Sequence, residues 1–241
     1  MIKKILKENY LYLIIITILV IVLPCIFRSS LHDNIISFDY QVIDFVRKLV
    51  YNNLTKIFRI ITFFGDLYIP IIIIVCILVF VKNKWYFAII SSSYLFAGAI
   101  AFITKNLAAR QRPLEALITI PNSYSFPSGH TLTSVVFYTV LTYLLINRFK
   151  IKNKKICYIC SSILIILIAF SRIYLGVHFF SDVIGGIVIG IPCLLMILNI
   201  IKLNFIKKLN KKWIKYSLFK CLILQFFSII IWFFIFFINL C

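Results

Sequence analysis

Long apolar runs alternate with short polar or basic segments along the whole chain. A transmembrane helix needs about 20 consecutive, mostly apolar residues, and several runs approach or reach that length. They are Tyr10–Phe27, Ile61–Val81, Trp85–Thr104, Thr131–Ile146, Ile156–Leu175, Val183–Ile201 and Phe219–Leu240. The pattern predicts an all-α, polytopic membrane helix bundle of six or seven transmembrane helices. The last run is either a seventh span or a C-terminal helix packed against the bundle.

Residues 35–50 have a different pattern. Apolar residues recur there at helical spacing, namely Ile35, Phe38, Val42, Phe45, Val46 and Leu49. Asp39 and Asp44 fall between them. This predicts an amphipathic helix lying in the membrane interface. The first span follows several lysines, and no small-residue cleavage pattern comes after it, so we expect a retained signal anchor.

The composition supports a membrane protein. Hydrophobic residues make up 63% of the 241, and charged residues only 14%, against about 25% in soluble domains. These values exclude a soluble globular protein and a disordered chain. The seven cysteines lie mostly in apolar runs, so they indicate no disulfide framework.

The charge distribution predicts an orientation. Lys and Arg number 26 and Asp and Glu 7, a net charge of +19. Most of the basic residues lie in four loops, 1–9, 82–84, 147–155 and 202–215, which indicates cytoplasmic loops rather than a nucleic-acid partner. The N-terminus is therefore expected on the cytoplasmic side of a bacterial cytoplasmic membrane.

Ionisable residues at membrane depth are costly and usually functional. Here they cluster at the opposite, outer ends of the predicted spans: Lys105, Arg112, His130, Arg172, His178 and Asp182. The helices between them form two antiparallel hairpins, so the segments that carry these residues can converge on one site.

Three cations in such a site suit a phosphate group better than a metal ion. Lys105 and Arg112 share a helix face if their helix persists to Pro113, and Arg172 would add a third positive group. Ser128 and Gly129, ahead of a helix, can offer a hydroxyl and a backbone N–H to an anion. No cluster of carboxylate, His or Cys ligands lies near the site, so neither a metal ion nor another cofactor is expected.

The two histidines suit different roles. His178 and Asp182 are four residues apart, which predicts neighbouring positions on one helix face. The carboxylate would hold one ring nitrogen and leave the other free as a nucleophile. His130 would then serve as the proton donor for the leaving oxygen.

Three segments together resemble the signature of the type 2 phosphatidic acid phosphatase (PAP2) superfamily. They are Lys105-x6-Arg112-Pro113, Pro127-Ser128-Gly129-His130 and Ser171-Arg172-x5-His178-x3-Asp182. The resemblance implies a metal-independent phosphatase with a phosphohistidine intermediate. It implies that His178 is the nucleophile, oriented by Asp182, and that His130 is the general acid and later the base. Lys105, Arg112, Ser128, Gly129 and Arg172 would bind the phosphoryl group.

On this interpretation the chain has three parts: an anchor with the amphipathic helix (1–59), a PAP2-like core (60–201), and a basic loop with a hydrophobic helix (202–241). The expected partners are membrane lipids and a lipid phosphate at the outer leaflet. Phosphatidylglycerol phosphate, phosphatidic acid and undecaprenyl diphosphate are not distinguished, and the oligomeric state is not indicated.

Two alternatives remain at this point. A transporter would use the charged cluster as a solute pathway, and a catalytically idle relative would only bind lipid.

Among single residues, Asp66 is interpreted as a turn or capping residue and Glu115 as a solvated loop acid, while Arg110 is unassigned. Gly186-x3-Gly190 predicts close helix packing. Tyr124 and Phe126 would either contact a lipid chain or lie in the interface.

Overall fold

The computed structural model describes residues 2–27 and 31–208. This part of the chain is all-α and has no strand, so the predicted fold class is confirmed. Its helices, in chain order, are α1 Ile2–Ile26, α2 Leu31–Arg47, α3 Asn52–Phe63, α4 Tyr68–Phe80, α5 Lys84–Ala108, α6 Gly129–Phe149, α7 Lys154–Tyr174 and α8 Phe180–Lys208.

Five of these helices are long and apolar enough to cross a membrane: α1, α5, α6, α7 and α8. The bent pair α3 and α4 passes the same test only when taken together, as a broken span or a re-entrant loop. The chain is therefore a multi-pass membrane protein, with five or six candidate spans in the described residues. The predicted seventh span, Phe219–Leu240, lies outside those residues.

The predicted span Ile61–Val81 is wrong as a single helix. It is interrupted after Phe63, and α3 and α4 meet at an angle of 42°. The 13 residues of α4 rise only about 20 Å, less than the apolar thickness of a bilayer. At the break, the Tyr138 hydroxyl donates a hydrogen bond of 2.6 Å to the Phe64 carbonyl. A Cβ on Gly65 would lie 2.9 Å from the His130 ring, so glycine allows this approach.

Helix α6 lies at the centre of the bundle and packs against α5, α7 and α8. Its contact with α8 depends on small residues, as predicted from Gly186-x3-Gly190. A Cβ on Gly186 would lie 2.9 Å from the Ser128 carbonyl oxygen, and one on Gly190 would lie 3.2 Å from Val135. The close approach brings the first turns of α6 and α8 together.

The predicted amphipathic helix exists as α2. Within the predicted apolar stripe Val46 is buried, whereas Phe38 and Phe45 are 52% and 63% exposed. The buried residues of this helix also include Asp39 and Ile43. The helix packs on α7 and α8. Hydropathy alone could not predict that Asp39 is buried, because its charge is compensated by residues far away in the sequence.

Candidate active site

Four helix ends meet at one end of the bundle. Helices α5 and α7 end there, and α6 and α8 begin there. The starts of α6 and α8 are joined directly, since the Ser128 backbone N–H donates to the Asp182 carbonyl at 2.9 Å. Lys105 in the last turn of α5 donates to the Ser125 carbonyl just before α6, at 3.2 Å. The predicted convergence of the charged segments is therefore present.

Arg112 reaches the site from a loop, not from a helix. Helix α5 ends at Ala108, and Ala109 has a positive φ of 50°. The condition for Lys105 and Arg112 to share a helix face, a helix that persists to Pro113, is not met. The left-handed residue ends the helix, and a residue before proline disfavours helical geometry. Arg112 Nε donates to the Ser123 carbonyl at 2.7 Å, and Nη1 donates to the Val177 carbonyl at 2.7 Å.

His178 also lies outside a helix, two residues before the start of α8. The expectation that His178 and Asp182 share a helix face is therefore wrong, although the two side chains do meet. Asp182 lies in the first turn of α8, and its Oδ2 accepts a hydrogen bond of 2.9 Å from the Phe179 N–H. The same oxygen lies 3.3 Å from His178 Nδ1. Asp182 thus caps the helix and holds the imidazole in place.

The partners of His178 define its tautomer. Arg112 Nη1 lies 3.1 Å from His178 Nε2 and can only donate, so Nε2 accepts. Nδ1 then carries the proton and faces Asp182. Burial lowers the pKa of His178 to about 3, although the Asp182 carboxylate acts in the opposite direction. The imidazole is therefore neutral at physiological pH, with an Nε2 lone pair directed at a cation.

Asp182 has two further partners that the sequence did not indicate. Arg110 Nη1 donates to Oδ1 at 2.6 Å, and the Ser125 hydroxyl donates to Oδ2. Arg110 was unassigned and Ser125 was not considered, because neither belongs to the family signature. An arginine close to the end of an apolar span was the one signal in the sequence, since a charge at that depth requires a partner.

His130 is also paired with a carboxylate. It lies in the first turn of α6, and its Nε2 is 2.8 Å from Asp66 Oδ1. Asp66 occupies the break between α3 and α4, so its interpretation as a turn residue was incomplete. This contact could not be read from the pattern, because 64 residues separate the two partners.

The remaining predicted phosphate-binding residues lie around the same helix ends. Ser128 is the N-cap of α6, and its hydroxyl accepts a hydrogen bond of 2.9 Å from the Thr131 hydroxyl. A Cβ on Gly129 would lie 3.7 Å from the Lys105 side chain, which places these two residues side by side. Arg172 is buried at the end of α7 and donates to the Thr62 hydroxyl of α3.

A cavity of about 560 Å³ adjoins Lys105 and Arg112. Its other lining residues come from the end of α5 and the following loop: Phe102, Asn106, Gln111, Pro113, Leu114, Ile120, Pro121, Asn122, Ser123 and Tyr124. Tyr124 therefore faces a space where a ligand can bind. Phe126 does not line this cavity. It is buried, with its ring centroid 4.4 Å from that of Phe27, and it lines a separate cavity of about 450 Å³.

A family model for the PAP2 superfamily matches residues 86–206. This is half of the chain, and it includes every signature residue from Lys105 to Asp182. The chain belongs to the PAP2 superfamily.

Individual PAP2 proteins are also similar. Phosphatidylglycerophosphatase B of Bacillus subtilis is 40% identical over 91 residues, which are 37% of this chain and 45% of that protein. Undecaprenyl-diphosphatase of Sulfolobus acidocaldarius is 27% identical over 157 residues, 61% of this chain and 72% of that protein. A crystal structure of a transmembrane PAP2 type phosphatidylglycerolphosphate phosphatase from Bacillus subtilis superposes with a TM-score of 0.69. The two sequences are 25% identical, and the superposition covers 80% of this chain and 96% of the Bacillus subtilis chain. The sequence match thus spans less than half of the first relative.

Proposed function

We propose that this PAP2 protein is a membrane phosphatase that hydrolyses a lipid phosphate through a phosphohistidine at His178. The observation that carries the proposal is the state of His178. Its imidazole is neutral and buried, its Nδ1 is held by Asp182, and its Nε2 faces the Arg112 guanidinium. These are the properties that a nitrogen nucleophile requires beside a bound phosphate.

In the first step, His178 Nε2 attacks the phosphorus. The Nε2–P bond forms while the bond between phosphorus and the leaving oxygen breaks. His130 donates a proton to that oxygen, which leaves as a lipid alcohol or, from a diphosphate, as a lipid monophosphate. Asp182 stabilises the positive charge that develops on the imidazole. Lys105, Arg112 and Arg172 supply positive charge for the phosphoryl oxygens, together with Ser128 and Gly129 at the start of α6.

In the second step, a water molecule displaces His178 Nε2 from the phosphorus. His130, now neutral, accepts a proton from a water molecule whose oxygen attacks the phosphorus. The P–Nε2 bond breaks, inorganic phosphate leaves, and His178 returns to its neutral form. Asp66 supports both steps because its carboxylate stabilises the protonated form of His130. One water molecule is consumed in each cycle.

Side-chain cations replace a metal ion in this mechanism. Among residues 2–27 and 31–208, no group of three or more His, Cys, Asp or Glu side chains is placed to hold one. Activity is therefore expected to survive EDTA, and vanadate should inhibit by imitating pentacoordinate phosphorus. Loss of activity on chelation with recovery on adding a divalent ion would contradict this part of the proposal.

The substrate class follows from the position of the site in a membrane protein. Helix ends at the membrane surface favour a phosphate in the headgroup layer, and the cavity beside Lys105 has room for the polar part of such a lipid. The names of the relatives point to phosphatidylglycerol phosphate and undecaprenyl diphosphate as first candidates. Phosphatidic acid is the third.

The direct experiment is phosphate release by purified protein from these three lipids. Turnover of at least one, inhibited by vanadate, would support the proposal. The absence of turnover on lipid monoesters and diphosphates, with retained lipid binding, would instead favour an idle binding protein.

We also propose that the site faces the extracytoplasmic side. Basic residues cluster at the opposite helix ends, where α5 and α7 begin with Lys84 and Lys154. In a cysteine-free background, a cysteine at Asn122 should react with an impermeant thiol reagent in intact cells. One at Asn153 should react only after permeabilisation. The reverse labelling would place the site on the cytoplasmic side.

A further inference from the structure

Arg110 occupies an unusual position for an arginine outside the family signature. Its side chain is only 2% exposed. The guanidinium carbon lies 4.5 Å from the ring centroid of Phe27 and 4.2 Å from that of Phe179. The two rings hold the plane of the guanidinium by stacking and cation–π contact. Arg110 is therefore held in one orientation.

That orientation bridges two buried carboxylates. Nη1 donates to Asp182 Oδ1 and Nη2 donates to Asp39 Oδ2, each at 2.6 Å. Both aspartates are fully buried. A lysine could not replace this arrangement, because an ammonium group lacks a planar fork with separate nitrogens for two acceptors.

The bridge leaves the catalytic face of Asp182 available. Arg110 binds Oδ1, whereas His178 Nδ1 faces the other oxygen, Oδ2. A carboxylate held at both oxygens cannot rotate away from the imidazole. Arg110 thus restricts the carboxylate that faces His178 Nδ1.

Asp39 contributes both orientation and charge. Its Oδ1 accepts a hydrogen bond of 2.9 Å from the Ser181 N–H, next to Asp182 at the start of α8, and its Oδ2 also accepts from the Ser181 hydroxyl. Arg110 by itself would neutralise Asp182 and weaken its attraction for a positively charged imidazole. With Asp39 included, the three groups keep one net negative charge beside His178.

We propose that Arg110 and Asp39 are positioning residues for the PAP2 reaction, and that they act through Asp182. This gives α2 a catalytic purpose, although it lies outside residues 86–206, which match the family model. The inference rests on the proposed function, because it assigns the purpose of two residues in the same site.

The test is a double-mutant cycle on kcat with purified protein. Arg110→Gln should lower kcat roughly 10- to 100-fold with little change in KM, which is the range for groups that orient a catalytic residue. Arg110→Lys should not rescue it, and Asp39→Asn should have a smaller effect of the same kind. Asp44→Asn, on the exposed side of the same helix, and Arg59→Gln are matched controls that should leave kcat unchanged.

Coupling separates positioning from a merely structural role. In an Asp182→Asn background, Arg110→Gln should cause little further loss of kcat, because its target has already lost its charge. Equal losses in both backgrounds would overturn the inference, as would a rise in KM without a fall in kcat. If Arg110→Gln does not fold, Asp39→Asn replaces it in the cycle with Asp182→Asn. A smaller loss of kcat in that background would again support the inference, and equal losses would overturn it. A wild-type protein without turnover would instead overturn the proposed function, and this inference with it.

Discussion

The two histidines of the site each have a carboxylate partner, but the two pairs are built differently. His178 and Asp182 are 2% and 0% exposed and lie four residues apart. Arg112 is a further partner of His178, and Arg110 and Ser125 are further partners of Asp182. His130 and Asp66 are 20% and 38% exposed and come from separate elements. One pair is enclosed by several hydrogen bonds, and the other is partly exposed.

This difference fits the two chemical tasks. A nucleophile needs one tautomer, one orientation and an unprotonated nitrogen, and the enclosed pair provides all three. A group that donates a proton and then accepts one from water must exchange protons with its surroundings, and the partly exposed pair permits that. The comparison therefore supports the proposed roles on physical grounds, independently of the family signature.

The largest effect is expected for the enclosed carboxylate. Asp182→Asn preserves size but removes the charge that stabilises the imidazolium and holds the tautomer of His178. By analogy with triad carboxylates, kcat should fall about 10⁴-fold with little change in KM. Steady-state kinetics in detergent would measure this, and near wild-type turnover would reduce Asp182 to a helix cap.

The effect of removing the proton donor should depend on the leaving group. His130→Ala should lower hydrolysis of a lipid monoester about 10²- to 10⁴-fold, because an alkoxide leaves poorly without a proton. A nitrophenyl phosphate scarcely needs that proton, so its first step should be preserved. Phosphoenzyme should accumulate, because the same imidazole activates the water that cleaves it. An equal loss of the first step for both substrates would remove His130 from the donor role.

A smaller effect is expected for the partly exposed carboxylate. Asp66→Asn should lower lipid hydrolysis roughly tenfold, because it acts only through His130. The loss should be greater for a lipid monoester than for nitrophenyl phosphate, and parallel rate measurements on both would reveal it. A uniform loss on both substrates would indicate that Asp66 maintains the break between α3 and α4 instead.

The smallest expected effect concerns stability at acidic pH. The pKa of His178 is about 3 in the folded protein and about 6.5 when unfolded. Between these values the unfolded chain binds a proton that the folded chain does not, so this residue lowers stability as the pH falls below about 6.5. The decrease in Tm from pH 7 to pH 4 should be smaller in His178→Gln than in wild type. Identical decreases would contradict an enclosed, neutral His178.

The same comparison shows what could be predicted from the sequence. Hydropathy predicted the core spans, and the signature residues of the converging helix ends were all identified. The contacts of Asp66 with His130 and of Asp39 with Arg110 were missed, because they join residues 64 and 71 positions apart and follow no local period. The break after Phe63 was missed because the hydropathy of the whole run hides Gly65 and Asp66, which lie between α3 and α4.

The central claim is that His178 carries the phosphoryl group. Rapid quenching of the protein with a labelled lipid or nitrophenyl phosphate, followed by peptide mapping under alkaline conditions, tests it directly. The account predicts an acid-labile label on His178 in wild type, more of it in His130→Ala, and none in His178→Ala. A label on His130, or label retained in His178→Ala, would contradict the assignment of the two histidines.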